Sequence, residues 1–301
     1  MDAKIIDLAS TDPYANIARE YSYYENFNPD EMVFLLWQNE PCAVMGRNQN
    51  IYRELNLKYM YEHNILPVRR FTGGGCVYHD LGNLNFTFIA SQKNKRLDTW
   101  VDIILSALRR EGIEAEVQGR NDILVHGKKV SGMAWLEDEE RFLIHGTLMV
   151  DLDLLQFSKC LTPDISKFVG KGIKSVRSRV TNLNEVNPSI TIVGLKRSLI
   201  DSFQESYPEA KLTEHVEYPD EADIERMIRS SAWIVRKREK AQVQRSITLE
   251  GKPLQLAISI DADTISDITI YTDSLDLKRV ETLRANLIGK NYTDLLKRNL
   301  L

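Results

Sequence analysis

Three consecutive glycines, Gly73, Gly74 and Gly75, interrupt the stretch RRFTGGGCVYHDLGN (Arg69 to Asn83) and constrain the fold more than any other feature. A glycine is needed where the backbone takes positive φ or where something packs too near for a Cβ atom. The run follows ILPVRRFT, which reads as a strand, and precedes LNFTFIA (Leu84 to Ala90), which reads as another. The glycines therefore lie on a loop between strands and do not open a helix. Neither the Rossmann spacing nor a phosphate loop ending in Lys-Ser or Lys-Thr is present. With Arg69 and Arg70 before it, the loop can bring a phosphate or a carboxylate against backbone amides. Taken alone, it reads equally well as a tight turn.

The remaining chain reads as α+β. Thr11 as cap and Pro13 in the first turn open a helix over YANIAREYSYYENF. MVFLLWQN and PCAVMGRNQ are two strands joined at Glu40 and Pro41, and YRELNLKYMYEHN is a surface helix. A helix over 99–111, capped by Asp98, buries Trp100, Ile103, Ile104, Ala107 and Leu108. IEAEVQ, DILVHG, KKVSGMAWLED and RFLIHGTLMVD are four strands of a mixed or antiparallel sheet. Helices over 152–160, 192–206 and 221–231 follow. After Trp233 a charged connector, IVRKREKAQVQ, leads to three alternating strands and two helices over 275–287 and 292–300. The expected division is residues 1–240 as the main, catalytic unit and 246–301 as a small α/β C-terminal accessory unit.

Composition serves mainly to exclude. A net charge of -4 over 301 residues gives no global field for nucleic acid or an anionic membrane, so a bound anion must be met by a local basic cluster. The start, MDAKIIDLAS, lacks the pattern of a secretory signal, and no window approaches the roughly 18 uninterrupted apolar residues of a membrane span. A cytoplasmic protein with no nucleic-acid or membrane partner is expected. Cys42, Cys76 and Cys160 form neither a disulfide framework nor a metal knuckle, and the five scattered histidines do not suggest zinc.

Three further stretches could carry chemistry. In GRNDILVHGKKVSG, Asn121 and Asp122 precede Lys128 and Lys129. A lysine entering a strand with glycine close behind can aim its ammonium at developing charge, and Asp122 suits magnesium together with phosphate oxygens. A solvated hairpin is the plain alternative. In FLIHGTLMV, His145 and Gly146 break an apolar strand, which is also what a satisfied core histidine would do. In KGIKSVRSRVTN, Lys171, Lys174, Arg177 and Arg179 alternate with hydroxyls, as a solvated loop or as a clamp closing over phosphates.

Together GRNQN, RRFTGGGCVYHDLGNLNFTFI, GRNDI, GKKVSG, HGTL and KGIKSVRSRVTNL resemble the lipoate-protein ligase A family, of the biotin/lipoate ligase superfamily, in order and in spacing. The likeness is dense over residues 30–185 and loose beyond. It implies a mixed or antiparallel catalytic sheet with flanking helices. It also implies activation of lipoate by Mg-ATP to lipoyl-AMP, then transfer to the ε-amine of a lysine on a lipoyl carrier domain. The carrier would be a glycine-cleavage H protein or the E2 lipoyl domain of a 2-oxoacid dehydrogenase, and the ligase a monomer. By this resemblance Lys129 is the catalytic residue. Lipoate and its adenylate would meet Arg70, Gly73, Gly74, Gly75, Val77, Tyr78, His79, Asn83 and His145, with Val44, Val77 and Phe86 lining the acyl tunnel. ATP would meet Asn121, Asp122, Gly146, Thr147, Ser175, Val176, Arg179 and Val180, and Asp122 would hold magnesium. The related acyltransferases use a cysteine just before the lysine motif, where VQGRNDIL has none. A transferase using preformed lipoyl-AMP and a non-catalytic carrier-binding module remain as alternatives. Thr72 in place of serine, and IVRKREK after Trp233, depart from the family pattern.

Overall fold

The computed structural model describes residues 2–119, 121–161, 180–235, 243–249 and 252–297. Its strands in chain order are β1 (Asp2–Asp7), β2 (Glu31–Trp37), β3 (Cys42–Met45), β4 (Leu66–Arg69), β5 (Cys76–His79), β6 (Asn83–Ser91) and β7 (Glu116–Gln118). They continue with β8 (Asp122–Val125), β9 (Lys128–Glu137), β10 (Arg141–Met149), β11 (Lys211–Leu212), β12 (Val243–Leu249), β13 (Lys252–Asp261) and β14 (Thr264–Tyr271). The main sheet has eight strands in the order β11-β1-β2-β6-β10-β9-β8-β7. It is mixed, because β1 runs parallel to both β2 and β11 whereas the pairs from β2 onward are antiparallel. A small sheet, β4-β3-β5, packs on one face, and β12-β13-β14 form a third, antiparallel sheet. The mixed α+β architecture is the one expected.

Both faces of the main sheet are buried: one is apolar, and the other sets a chain of buried polar side chains within a second apolar cluster. Alternation on β6 sends Leu84, Phe86, Phe88 and Ala90 to the first face, with Phe34 of β2 stacked 4.6 Å from Phe88. Helix α4 (Leu97–Arg110) closes this side with Trp100, Ile103, Ile104, Ala107 and Leu108, the five positions its periodicity implied. Phe203, on the helix Ile192–Ser206, stacks on Phe34 at 4.8 Å. The opposite face is covered by the helix Pro13–Glu25, named α1, and by the small sheet. Asn85 and Thr87 point to that side, where the candidate site lies.

Local chemistry shifts several expected boundaries. Asp12, not Thr11, caps α1, its Oδ1 accepting from the amides of Tyr14 at 2.9 Å and Ala15 at 3.2 Å. The surface helix expected over YRELNLKYMYEHN is broken into α2 (Ile51–Glu54) and α3 (Leu57–Glu62). Asn50 and Asn56 each cap a new first turn there, and this competes with a continuous helix. Helix α4 starts after Arg96, which places Asp98 in its first turn as a favourable charge and not as its cap. The strand leaving the glycine run is β5, one strand earlier than expected, so the run joins two strands of the small sheet. Strand β1 carried no clear sequence signal, since charged residues occupy both of its ends. Among the described residues no helix is long and apolar enough to cross a membrane.

Candidate active site

The glycine run is shaped by three different demands. Gly74 has φ of +91° and donates its amide to the Ser274 carbonyl at 3.1 Å. A Cβ on Gly73 would lie 2.4 Å from that same carbonyl oxygen, whereas one on Gly75 would meet nothing within 4 Å. The first two glycines thus admit the loop after β14, and the third leaves open space beside the cleft. GRNQN belongs to the same construction: Gly46 donates to Gly75 O at 3.1 Å and Arg47 to Thr72 O at 2.8 Å.

Arg69 and Arg70 face opposite ways from adjacent positions. Arg69 is fully buried and donates to the carbonyls of Gly46, Arg47, Gln49, Trp233 and Ile234. Arg70 lines the cleft, but its Nη2 donates to Gly73 O at 2.7 Å and Gly75 O at 2.9 Å, and its Nη1 to Val44 O at 3.0 Å. Burial pulls the Arg70 pKa down to about 10, which still leaves a cation at neutral pH. Most of its donors hold the loop and are not free for a ligand.

A polar chain behind the loop fixes this arrangement. Arg70 Nε donates to Thr72 Oγ1 at 2.8 Å, and that hydroxyl lies 2.9 Å from His145 Nε2. His145 Nδ1 is 2.9 Å from Glu20 Oε1 on α1. Thr87 donates to the same oxygen at 2.6 Å and accepts from Trp37 Nε1 at 3.0 Å. Each member lies within the protein interior, where a satisfied network specifies one geometry. Thr72 keeps the hydroxyl that a serine would supply. His145, expected at the acyl site, lines the cleft and anchors the loop at the same time.

Lys129 is positioned by a backbone irregularity. Strands β8 and β9 pair Ile123 with Ser131 and Leu124 with Lys129, so Val130 is an extra residue on β9. Such a bulge re-aims the adjoining side chains. The Lys129 ammonium lies 2.8 Å from Asp122 Oδ1, and a Cβ on Gly132 would fall 2.8 Å from Lys129 Nζ. The lysine therefore crosses its own strand over Gly132. Its carbonyl accepts from Thr181 N at 3.0 Å, and it bridges to Val180 in parallel. The basic stretch before Val180, including Ser175, Val176 and Arg179, lies outside the described residues.

These elements enclose a cleft of about 420 Å³, a volume suited to a small organic ligand. Among the predicted residues, Arg70, Gly74, Gly75, Val77, His79, Asn121, Lys129, His145, Gly146 and Thr147 line it, as does Val44. Gly73, Tyr78, Asn83, Asp122 and Val180 do not. Tyr78 packs with Met45 and Met149, and Asn83 sits behind Asn85, donating to its Oδ1 at 2.9 Å. Phe86 is also not a wall residue, because alternation sends it to the apolar face. There it explains Gly146, where a Cβ would lie 2.3 Å from the Phe86 ring. Ile17, Trp37, Asn85 and Met133 line the cleft without having been predicted, and Lys252, Asp273 and Leu275 reach it from the C-terminal part of the chain. The alternate polar residues Asn83, Asn85 and Thr87 in LNFTFIA were the available signal for Asn85. Cys76 lines the cleft too, and burial pushes its thiol far above the ordinary cysteine range, as expected of a packing residue. Among the described residues no group of three His, Cys, Asp or Glu could hold a metal, so Asp122 would need phosphate oxygens beside it to bind magnesium.

A cleft lined largely by apolar side chains, with the glycine loop on one side and Lys129 among its lining residues, can hold an acyl chain, its carboxyl end and a phosphate together. Comparison with known proteins agrees. A family model described as the lipoyl protein ligase A/B catalytic domain matches residues 12–204. The chain is 34% identical over 304 residues to the lipoate-protein ligase A of Bdellovibrio bacteriovorus, spanning 94% of this chain and 86% of the relative. It is similar to P. falciparum LipL1, solved in complex with lipoate, at 30% identity and a TM-score of 0.84 over 97% of this chain and 90% of that one. A bi-partite lipoate protein ligase from Thermoplasma acidophilum, studied with its E2 lipoyl domain, matches at 26% identity and a TM-score of 0.70, over 80% of this chain and 99% of that one.

Proposed function

The chain belongs to the lipoyl protein ligase A/B family, and from that premise we propose how its residues divide the work of an ATP-dependent lipoate-protein ligase. In the first step a lipoate carboxylate oxygen attacks the α-phosphorus of ATP and pyrophosphate leaves. In the second the ε-amine of a carrier lysine attacks the acyl carbonyl of lipoyl-AMP and AMP leaves. The mixed anhydride is already activated, so neither step needs an enzymic nucleophile. Asn121 and Thr147 line the cleft together with Lys129 and would meet the nucleotide, while Ile17, Trp37, Val44 and Val77 would enclose the acyl chain.

The observation that carries the reading is the placement of Lys129. Lys129 lines the cleft, its ammonium sits over Gly132 beside Asp122, and its backbone bridges to Val180; the acyl and phosphate groups would join at that ammonium. Charge develops on the phosphoryl and acyl oxygens in both half-reactions, and one fixed cation serves both. Asp122 holds that ammonium when no substrate competes for it. Once Lys129 engages the substrate, the freed carboxylate would be the protein's ligand to magnesium, which neutralises phosphate charge. Residues 1–240 would form the catalytic unit and 246–301 an accessory unit, with a lipoyl carrier domain as acceptor and a monomer as the working form.

The test is lipoate-dependent exchange of labelled pyrophosphate into ATP, together with the mass gained by a panel of lipoyl domains. Exchange that requires lipoate, with a lipoyl mass added to at least one domain, is the expected result. Transfer from supplied lipoyl-AMP without any exchange would instead identify a transferase. Failure of both would remove the ligase reading.

A further inference from the structure

The inner wall of the cleft contains a polar atom whose proton can be located from the hydrogen bonds around it. Asn16 Nδ2 lies 2.9 Å from Ser10 O and 2.8 Å from Gln38 O, and backbone carbonyls only accept. The Asn39 atom 3.0 Å from that nitrogen must therefore be its Oδ1. Asn39 Nδ2 then faces His79 Nδ1 at 3.1 Å and donates to it. A neutral imidazole that accepts at Nδ1 carries its proton on Nε2. Burial, helped by the nearby Arg70 and His145, holds the His79 pKa down to about 3, so the ring stays neutral in use.

Among the described residues that Nε2–H has no partner, and His79 is 3% exposed. The same is true of Asn85 Nδ2 on a side chain 1% exposed, whose Oδ1 accepts from Asn83. Both residues line the cleft. Trp37, between them, cannot offer a further donor because Thr87 takes its indole N–H. The wall around an otherwise apolar chain thus presents two buried donors. A plain hydrocarbon would leave both unsatisfied, and a buried unsatisfied donor is unfavourable. A sulfur atom in the chain is a weak acceptor that can meet them.

Resting on the ligase reading above, we propose that His79 Nε2–H, assisted by Asn85 Nδ2, makes this site select a sulfur-bearing acyl chain over a fatty acyl chain of the same length. Asn39 and Asn16 act behind it as positioning residues that keep the proton on the cleft side. Trp37, Val44 and Val77 bind either chain without distinguishing them.

The experiment measures kcat/KM for (R)-lipoate and for octanoate in pyrophosphate exchange, in the wild-type protein and in His79→Phe and His79→Gln. The wild type should favour lipoate. In His79→Phe the lipoate-to-octanoate ratio should fall about fivefold, the size expected when one weak buried hydrogen bond is lost. His79→Gln, which keeps an N–H donor, should recover most of the ratio. An unchanged ratio in His79→Phe overturns the proposal, and so does an equal loss in His79→Gln. If His79→Phe does not fold, the wild-type protein with 15N-labelled histidine decides: the Nε2–H signal of His79 should shift with lipoate and not with octanoate, and equal shifts overturn the inference. A protein that activates neither acid would defeat the ligase reading itself, an outcome distinct from loss of selectivity.

Discussion

Both faces of the eight-stranded sheet bury apolar clusters, but only one of them adds a chain of buried polar side chains. On one, Phe34, Phe88 and Trp100 are each at most 1% exposed and form a stacked aromatic core. On the other, Glu20, Thr87, His145 and Thr72 are nearly as inaccessible yet form a hydrogen-bonded chain ending at Arg70. An apolar core holds the fold by area and shape, so its members can be exchanged for others of similar volume. The polar face holds the glycine loop by donors and acceptors, and a single mismatch would leave a buried group unpaired. Burial alone does not separate the two faces, since both hold apolar clusters; the buried polar chain beside the cleft does.

Injury to the apolar face should leave the cleft working in whatever protein still folds. Trp100→Ala removes a side chain that stacks 5.3 Å from Phe88 and should lower unfolding free energy by about 4 kcal/mol. Denaturant melts would report that loss, while KM for lipoate and ATP in the remaining folded protein should hold. A large KM change would mean that the faces are coupled through the sheet. The opposite injury is Lys129→Ala. It should leave the melting transition nearly in place and reduce kcat for lipoyl transfer about a hundredfold or more, as loss of one preorganised electrostatic contact does. An unchanged kcat would remove Lys129 from the mechanism.

The apolar face was legible in the sequence because period carries it. The spacing of Trp100, Ile103, Ile104, Ala107 and Leu108 located the buried stripe of α4, although Asp98 misled on the cap. The polar face was legible only where residues cluster along the chain, as at Arg70 to Gly75 or Asn121 to Lys129. Glu20 and Trp37 escaped notice because each looks ordinary in its own element and gains meaning from partners 125 and 50 positions away. The same holds for Ser274 and Leu275, which meet Gly73 and Gly74 across about 200 residues of chain. Phe86 was misassigned because strand alternation decides its face, and the strand's phase was not fixed by its composition. Asn85 could have been found from the alternate polar positions Asn83, Asn85 and Thr87 on an otherwise apolar strand.

The smallest expected effect tests the polar face through pH. His79 is held neutral in the folded protein with a pKa near 3, well below the ordinary histidine value of about 6.5 that the unfolded chain would show. Between those two values the unfolded state binds a proton that the folded state refuses. Stability is therefore fully present above the unfolded pKa and is lost as pH falls toward the folded one. The difference amounts to about 2 kcal/mol between pH 7 and pH 5. Asp80 has a raised pKa through burial and contributes in the opposite sense, favouring the folded state as it protonates at lower pH. Other groups add their own slopes, so the useful quantity is the difference between the wild type and His79→Gln, in which only the imidazole is lost. Chemical denaturation at the two pH values should show the wild type losing about 2 kcal/mol more than the variant. Equal losses would mean that His79 takes up its proton without unfolding, and that water reaches the inner wall of the cleft as readily as it reaches the surface. The polar face would then lose the dryness that makes it comparable to the apolar one, and the unpaired Nε2–H would lose its power to choose between acyl chains.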